Sequence, residues 1–399
     1  MNQRLPQLAT QHNCTGCMAC VGSCGAGALT MQIGNDGHGY PLLDAEKCVG
    51  CLRCEKVCSN TRMFIGCNEL DKSIPFSVWA NDNELRGKST SGGFAAAASI
   101  WIINNNGVVV GVSFDGRRAK HILVDKEENL SQIQGSKYVW SDASNVYKAI
   151  SENLKKRPVL FTGTGCQVAG VLSFFDKHPN KDRLFTIDLI CGGVPSDLLI
   201  EAYKKTNPEV SSITSFRTKR KYELKGIVDG KEMVMSDSAL PLAGFCTEQT
   251  CRYTCYDCPF AFAHRASDIT IGDLWGESAV QSQRREGISL VVVHNDKGMI
   301  LLKESNVTYM PLEWDSFLQD NRRLVYGHTP ITALRAHLND NYKKMDSSSF
   351  ARTYSLSSSP KQLIGFGYRV WNYVLRKINI KKSRNEVNRI LANYKKEKS

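Results

Sequence analysis

The sequence predicts a chain of three unlike parts: a small α+β unit organised by bound metal, an α/β domain, and a helical basic tail. Three observations carry this. Eight of the 15 cysteines fall before residue 60, in two runs of identical spacing. From about residue 76, short apolar segments alternate with segments of helical periodicity. The last stretch is strongly basic and follows a Ser-rich segment. With 399 residues and 42% apolar content, the chain has room for two or three domains and a sizeable core. The expected parts are residues 1–66, 73–345, a linker at 346–360 and a tail at 361–399.

The first part rests on its cysteines. Cys14, Cys17, Cys20 and Cys24 have the spacing C-x2-C-x2-C-x3-C, and Cys48, Cys51, Cys54 and Cys58 repeat it. This is the two-cluster bacterial ferredoxin pattern, in which the fourth cysteine of each run serves the other cluster. One 4Fe-4S cluster is then expected on Cys14, Cys17, Cys20 and Cys58, and the second on Cys48, Cys51, Cys54 and Cys24. Zinc knuckles would show paired CxxC units instead of duplicated four-cysteine runs. Gly25 and Ser59 stand where a proline is usual after the fourth cysteine. Residues 8–60 therefore resemble a ferredoxin-like α+β unit, and two adjacent clusters make an electron wire.

In the second part, FSVWA (76–80), VVVGVSF (108–114), HILVD (121–125), PVLFT (158–162), LFTIDLI (184–190), ITIGDLW (269–275) and ISLVVVH (288–294) read as strands. GGFAAAASIWII, SNVYKAISENLKK and CQVAGVLSFFDK read as helices between them, and Pro195 suits the first turn of another. Strands alternating with helices argue for α/β architecture, with sites at the carboxyl ends of the strands.

The tail carries 11 Lys or Arg against Glu386 and Glu397, a net +9 out of the whole chain's +12. Seven serines within residues 347–359 precede it and read as a linker. Basic charge confined to a tail argues for a local anionic partner, such as an anionic membrane surface, and equally for a helix packed on the body. Nucleic acid is not expected as a partner, because no recognised binding fold accompanies the charge. No secretory leader and no apolar run of spanning length is evident, so a cytoplasmic protein is expected, peripheral at the inner membrane face if the tail binds lipid. In reducing surroundings the cysteines point to metal before disulfides.

Cys166 and Cys191 each follow a predicted strand, and Cys255 and Cys258 form a CxxC with Cys251 just before it. Spacing alone leaves several readings open. These are a shared metal site, a redox-active CxxC beside unrelated buried cysteines, or a Cys166 nucleophile at a helix N-terminus. The glycines Gly163 and Gly165 do not complete a dinucleotide fingerprint, since Val168 stands at the last place, and no Walker lysine follows.

Taken as an ordered set, KSTSGGF (88–94), GSKYVWSD (135–142), FTGTGCQVAG (161–170), DLICGGVPS (188–196) and TCYDCPFAFAHRASDITIGDLWG (254–276) resemble the beta-subunit family of deazaflavin-dependent (coenzyme F-420) hydrogenases and dehydrogenases. The resemblance runs from residue 8 to about 345. It implies a flavoprotein oxidoreductase in which FAD exchanges a hydride with coenzyme F-420 or another organic partner and passes single electrons to iron–sulfur centres. It also implies a third 4Fe-4S cluster on Cys166, Cys191, Cys255 and Cys258. The chain departs from the family with GTGCQ where GTPCQ is common and CGGV where CHGV is common, and it offers Cys251 and Cys246 as spare thiols. Cys166 and Cys251 both stand as the fourth ligand, with Cys166 preferred. Ser91, Gly92 and Gly93 at a helix start, Lys137, Gly163, Gly165 and Asp273 are the expected flavin-side residues. Ordinary glycine turns, a solvated lysine and a capping aspartate are the plain alternatives. Catalytic residues are not identifiable from the sequence. The expected partner is a redox protein or partner enzyme. The alternative to an enzyme is a non-catalytic electron-relay subunit, and family association admits a setting in surface-polysaccharide synthesis.

Overall fold

The computed structural model describes residues 4–60, 68, 72–219, 221–235, 240–248, 250–263, 265–275, 281–318, 320–324 and 335. The Ser-rich linker and the basic tail lie outside them. No helix among the described residues is long and apolar enough to cross a membrane.

The two N-terminal cysteine runs fold alike. Short helices α1 (Ala19–Gly22) and α2 (Arg53–Lys56) occupy equivalent places, and a hairpin of β1 (Leu29–Ile33) and β2 (Gly39–Leu43) lies between the runs. Each run turns through two left-handed residues, Gly16 and Met18 in the first, Gly50 and Leu52 in the second. Glycine takes this conformation freely, but Met18 at φ 64° and Leu52 at φ 58° do not. A side chain there costs roughly 1–2 kcal/mol. The same strain, repeated at equivalent positions, marks loops shaped around something.

The second part is built on strands β3 (Ile74–Ala80), β4 (Val108–Phe114), β5 (Ala119–Val124), β6 (Ser141–Asp142), β7 (Val159–Thr164) and β8 (Leu184–Leu189). A separate antiparallel sheet follows, β9 (Val210–Arg217), β10 (Tyr222–Val228) and β11 (Lys231–Val234), which the sequence patterning does not announce. The chain then returns with β12 (Ile269–Asp273), β13 (Ser289–Val293) and β14 (Val307–Pro311). The nine-stranded sheet has the order β14-β3-β13-β12-β8-β7-β4-β5-β6. Its centre, β4, β7, β8 and β12, is parallel, and antiparallel strands flank it.

The helices are α3 (Asn83–Lys88), α4 (Phe94–Asn104), α5 (Val146–Leu154), α6 (Gly165–Phe175), α7 (Leu198–Thr206), α8 (Leu240–Thr247) and α9 (Asp296–Glu304). Strand β7 shows why both sheet faces need cover: Val159, Leu160 and Phe161 are fully buried in succession. Val159 and Phe161 pack under α5 and α6 with Tyr147, Ile150 and Val171. Leu160 faces the other way, toward Phe94 and Ile102 of α4 and Leu301 of α9. The N-terminal unit shares the first of these cores, contributing Cys17, Met18, Ala19 and Val57.

Pro195 departs from its expected place in a first helical turn. Helix α7 begins at Leu198, where the Ser196 hydroxyl accepts from the Leu198 amide, and Pro195 instead forms a bridge with Cys251. The proline thereby ties the turn after β8 to the loop that carries the later cysteines.

Candidate functional site

Two cavities open in the N-terminal unit. One, of about 430 Å³, is lined by Cys14, Cys17, Cys20 and Cys58 with Leu8, Met31 and Pro41. The other, of about 350 Å³, is lined by Cys24, Cys48, Cys51 and Cys54 with Pro6, Leu43 and Val49. Each therefore takes three cysteines from one run and the fourth from the other. Burial pushes the Cys17 thiol up to about 11 and Cys20 higher still, with neighbouring thiolates adding to the shift. Such a set ionises together only when a cationic group binds it. Among the described residues no His, Cys, Asp or Glu group closes on a single-ion point. The thiols stand around a space instead. Backbone amides also turn to sulfur: Ala28 donates to Cys24 Sγ at 3.2 Å and Gly50 to Cys48 Sγ at 3.4 Å. Four thiols, apolar walls and amide donors fit a 4Fe-4S cube. The cavities differ in depth. Cys14, Cys17 and Cys54 are buried, but Cys51 is exposed, beside a Val49 that is 65% exposed. The 350 Å³ cavity is the outer one.

The sheet register explains a third gathering of thiols. Thr164 of β7 pairs with Leu189 of β8, and Cys166 and Cys191 each follow two residues later. Cys166 feels the charge of Cys258 and Cys191, and Cys255 feels Cys251, Cys191 and Cys258. The loop around the CxxC thus comes to the two strand ends. The Gly193 amide donates to Cys191 Sγ at 3.4 Å. Cys251 is buried here too and feels Cys191. The cysteines at 166, 191, 251, 255 and 258 therefore form one neighbourhood, while Cys246 is exposed on α8. At Cys166, burial pushes the thiol up, and the adjacent Cys258 adds to this. That is the opposite of the lowered pKa an activated nucleophile needs. A capping box, Thr164 with Gln167, starts α6 and holds Cys166 at its first turn.

The first cavity and the third gathering abut. A Cβ on Gly170 would stand 2.8 Å from Cys17 Sγ, so only glycine lets α6 pass this close. Gly170 lies four residues beyond Cys166, on the same helix face. Tyr147 of α5, fully buried, donates to the Cys17 carbonyl at 2.7 Å and feels Cys17, Cys20 and Cys166. The Trp140 indole donates to the Gly16 carbonyl at 3.2 Å. A buried charged network completes the junction. Arg335 pairs with Asp36 at 2.6 Å, both fully buried, and donates to the Cys251 carbonyl. His38 contacts the Thr250 carbonyl at 3.0 Å. Arg252 donates to the carbonyls of Cys14 and Gly39. Sequence reasoning missed these arginines, along with the buried Asp188–Arg265 pair at 3.1 Å behind Gly165. Their one sequence signal was position: Arg252 and Arg265 flank the CxxC loop.

The flavin-side candidates sit on adjoining turns. Thr90 and Ser136 share a hydrogen bond of 3.1 Å, which joins the 88–93 turn to the 134–137 loop. Among the described residues Lys137 bonds only the Gln134 carbonyl, and burial lowers its pKa to about 8. Asp273 holds Arg217 at 2.6 Å. Ser91 donates to the Ile288 carbonyl, and the Gly92 amide donates to Ser289 Oγ at 3.1 Å, so that amide is already engaged. Gly93, at φ 90°, is the N-cap of α4. A Cβ on Gly163 would meet Phe161 and Gln167, and one on Gly165 would meet Arg265 and Asp188. Protein neighbours occupy the space those two glycines leave.

Residues 156–310 match the family model that describes the C-terminal part of the coenzyme F420 hydrogenase/dehydrogenase beta subunit, and residues 13–61 match a 4Fe-4S dicluster domain. Among solved structures, the F420-reducing [NiFe] hydrogenase complex from Methanosarcina barkeri, studied by xenon derivatization, contains a similar chain. The two are 17% identical, the match covers 71% of this chain and 92% of that one, and the TM-score is 0.47. No curated protein matches the chain.

Proposed function

Because the chain belongs to the coenzyme F420 hydrogenase/dehydrogenase beta-subunit family through residues 156–310 and carries a 4Fe-4S dicluster domain at residues 13–61, we propose that it is an iron–sulfur flavoprotein oxidoreductase. Its residues would hold three 4Fe-4S centres in a row and an FAD beyond them. One observation carries this reading: the Cys14–Cys17 cavity lies against the helix that presents Cys166, with a glycine at the point of contact. The cysteines then run without a gap from exposed Cys51 to the strand-end crevice.

In this reading Cys24, Cys48, Cys51 and Cys54 hold the outer centre, where a redox partner protein docks. Cys14, Cys17, Cys20 and Cys58 hold the inner one. Cys166, Cys191, Cys255 and Cys258 hold the third, with Cys251 as the rival to Cys166. A bound flavin supplies the exchange between hydride and single-electron chemistry. Lys137, with no acidic partner among the described residues, suits its anionic portion. Ser91 and Gly93 line the adjoining turn, and Asp273 fixes Arg217 beside it. Coenzyme F-420 or an organic substrate would meet the flavin, and a polysaccharide setting rests on the resemblance alone.

Anaerobic reconstitution followed by flavin assay tests the proposal. Stoichiometric FAD, and a flavin reduced when a low-potential dye feeds the clusters, is the expected result. Iron–sulfur loading and dye reduction without bound flavin would favour a non-catalytic relay subunit instead. That second reading draws support from Gly92, Gly163 and Gly165, whose approaches are all taken by protein atoms.

A further inference from the structure

Arg252 is 1% exposed, and no carboxylate among the described residues forms an ion pair with it. Its contacts are the Cys14 carbonyl at 3.4 Å, the Gly39 carbonyl at 2.9 Å and the Tyr40 ring at 4.8 Å. Its Nε has no hydrogen-bond partner among the described residues. Asp197 feels its charge without touching it. The other buried guanidinium groups nearby are matched: Arg335 by Asp36, Arg265 by Asp188 and Arg323 by Glu248. A buried charge without a counter-ion is costly, and structures keep one only where an anion answers it.

The residue comes from the loop of the third cysteine group, directly after Cys251, yet its guanidinium reaches the loop of Cys14 and Gly16. A Cβ on Gly16 would lie 2.7 Å from Arg252 Nη2. The only described groups there that become anionic are the thiols of Cys14, Cys17, Cys20 and Cys58, when they ligate iron. We propose that Arg252 is the built-in counter-charge of the inner iron–sulfur centre, a positioning residue that raises its reduction potential. The inference rests on the proposed ligation by those four cysteines. The guanidinium gains and loses no electron. It favours the reduced form, which carries one more negative charge than the oxidised form, and so makes the inner centre a better acceptor than it would otherwise be. An electron arriving through exposed Cys51 is thereby drawn inward, toward α6 and the third group.

The test is a redox titration of the anaerobically reconstituted full chain, followed by EPR, with total iron assayed alongside. Arg252→Met should keep the iron content and move the midpoint potential of one dicluster centre to more negative values. Arg252→Lys should stay close to the unmodified protein, because it keeps the charge while losing the forked hydrogen bonds. If Arg252→Met does not accumulate, Arg252→Gln reads the same shift. Unchanged potentials at full iron in the Met or Gln variant would overturn the inference alone. An equal fall in the Lys variant would do the same, by showing a packing effect in place of a charge effect. Absence of dicluster iron from the unmodified protein would remove the underlying ligation as well.

Discussion

At the scale of single residues, the junction between the cysteine loops depends on charges withdrawn from water. Arg335 and Asp36 are fully buried, and Tyr40 also donates to Asp36 at 2.8 Å. Removing one partner of such a pair typically costs about 3–5 kcal/mol, because the other is left uncompensated. Arg335→Met should therefore lower stability by that order in denaturant unfolding. Arg335→Met combined with Asp36→Asn should recover part of it. His38 gives the junction a pH dependence. Burial, with Arg252 and Arg335 nearby, lowers its pKa to about 3 against the attraction of Asp36. The unfolded chain binds a proton at His38 near pH 6.5 and the folded chain does not until about 3. Stability from this group is thus complete above pH 6.5 and is lost as the pH falls toward 3. Unfolding midpoints measured from pH 7 to 4.5 should fall, and His38→Gln should flatten that slope.

At the scale of elements, the strands whose patterning was plain are the ones the sheet contains. β3, β4, β7, β8, β12 and β13 form within a residue or two of their apolar runs, because strands buried on both faces need such runs. The antiparallel sheet of β9, β10 and β11 was not legible. Its strands alternate weakly, and β11 is exposed along its whole length. The start of α7 was misplaced because Pro195 is bound to Cys251 across the fold, a contact no local rule contains. The glycines show the same limit. Gly92 looked like an open helix start, but a Cβ there would meet the Val78 carbonyl at 2.3 Å and the Ser289 amide at 2.5 Å. Both are backbone atoms of paired strands and cannot move aside. Gly92→Ala should cost about 1–3 kcal/mol in thermal or denaturant unfolding. Gly87→Ala, with nothing within 4 Å, should cost nothing.

At the scale of the whole molecule, the cysteine spacing revealed how thiols divide between two cavities, because a ligation pattern is local in sequence. The third gathering was only half legible. Strand-end equivalence suggested Cys166 with Cys191, and the β7–β8 register gives it physical form. The approach of the Cys17 loop to Gly170, and of Arg252 to Cys14, belongs to packing between distant segments and left no pattern to read. The basic tail lies outside the described residues, so its surface role stands as an expectation. The central claim is that these cysteines hold three centres in one chain, with the third at the strand ends. Iron counting with EPR, on the reconstituted chain and on Cys166→Ala and Cys251→Ala, tests it most directly. The account predicts about twelve irons for the unmodified chain and for Cys251→Ala, and about eight for Cys166→Ala, with four irons per cluster. About eight irons in the unmodified chain, with no change in either variant, would contradict it.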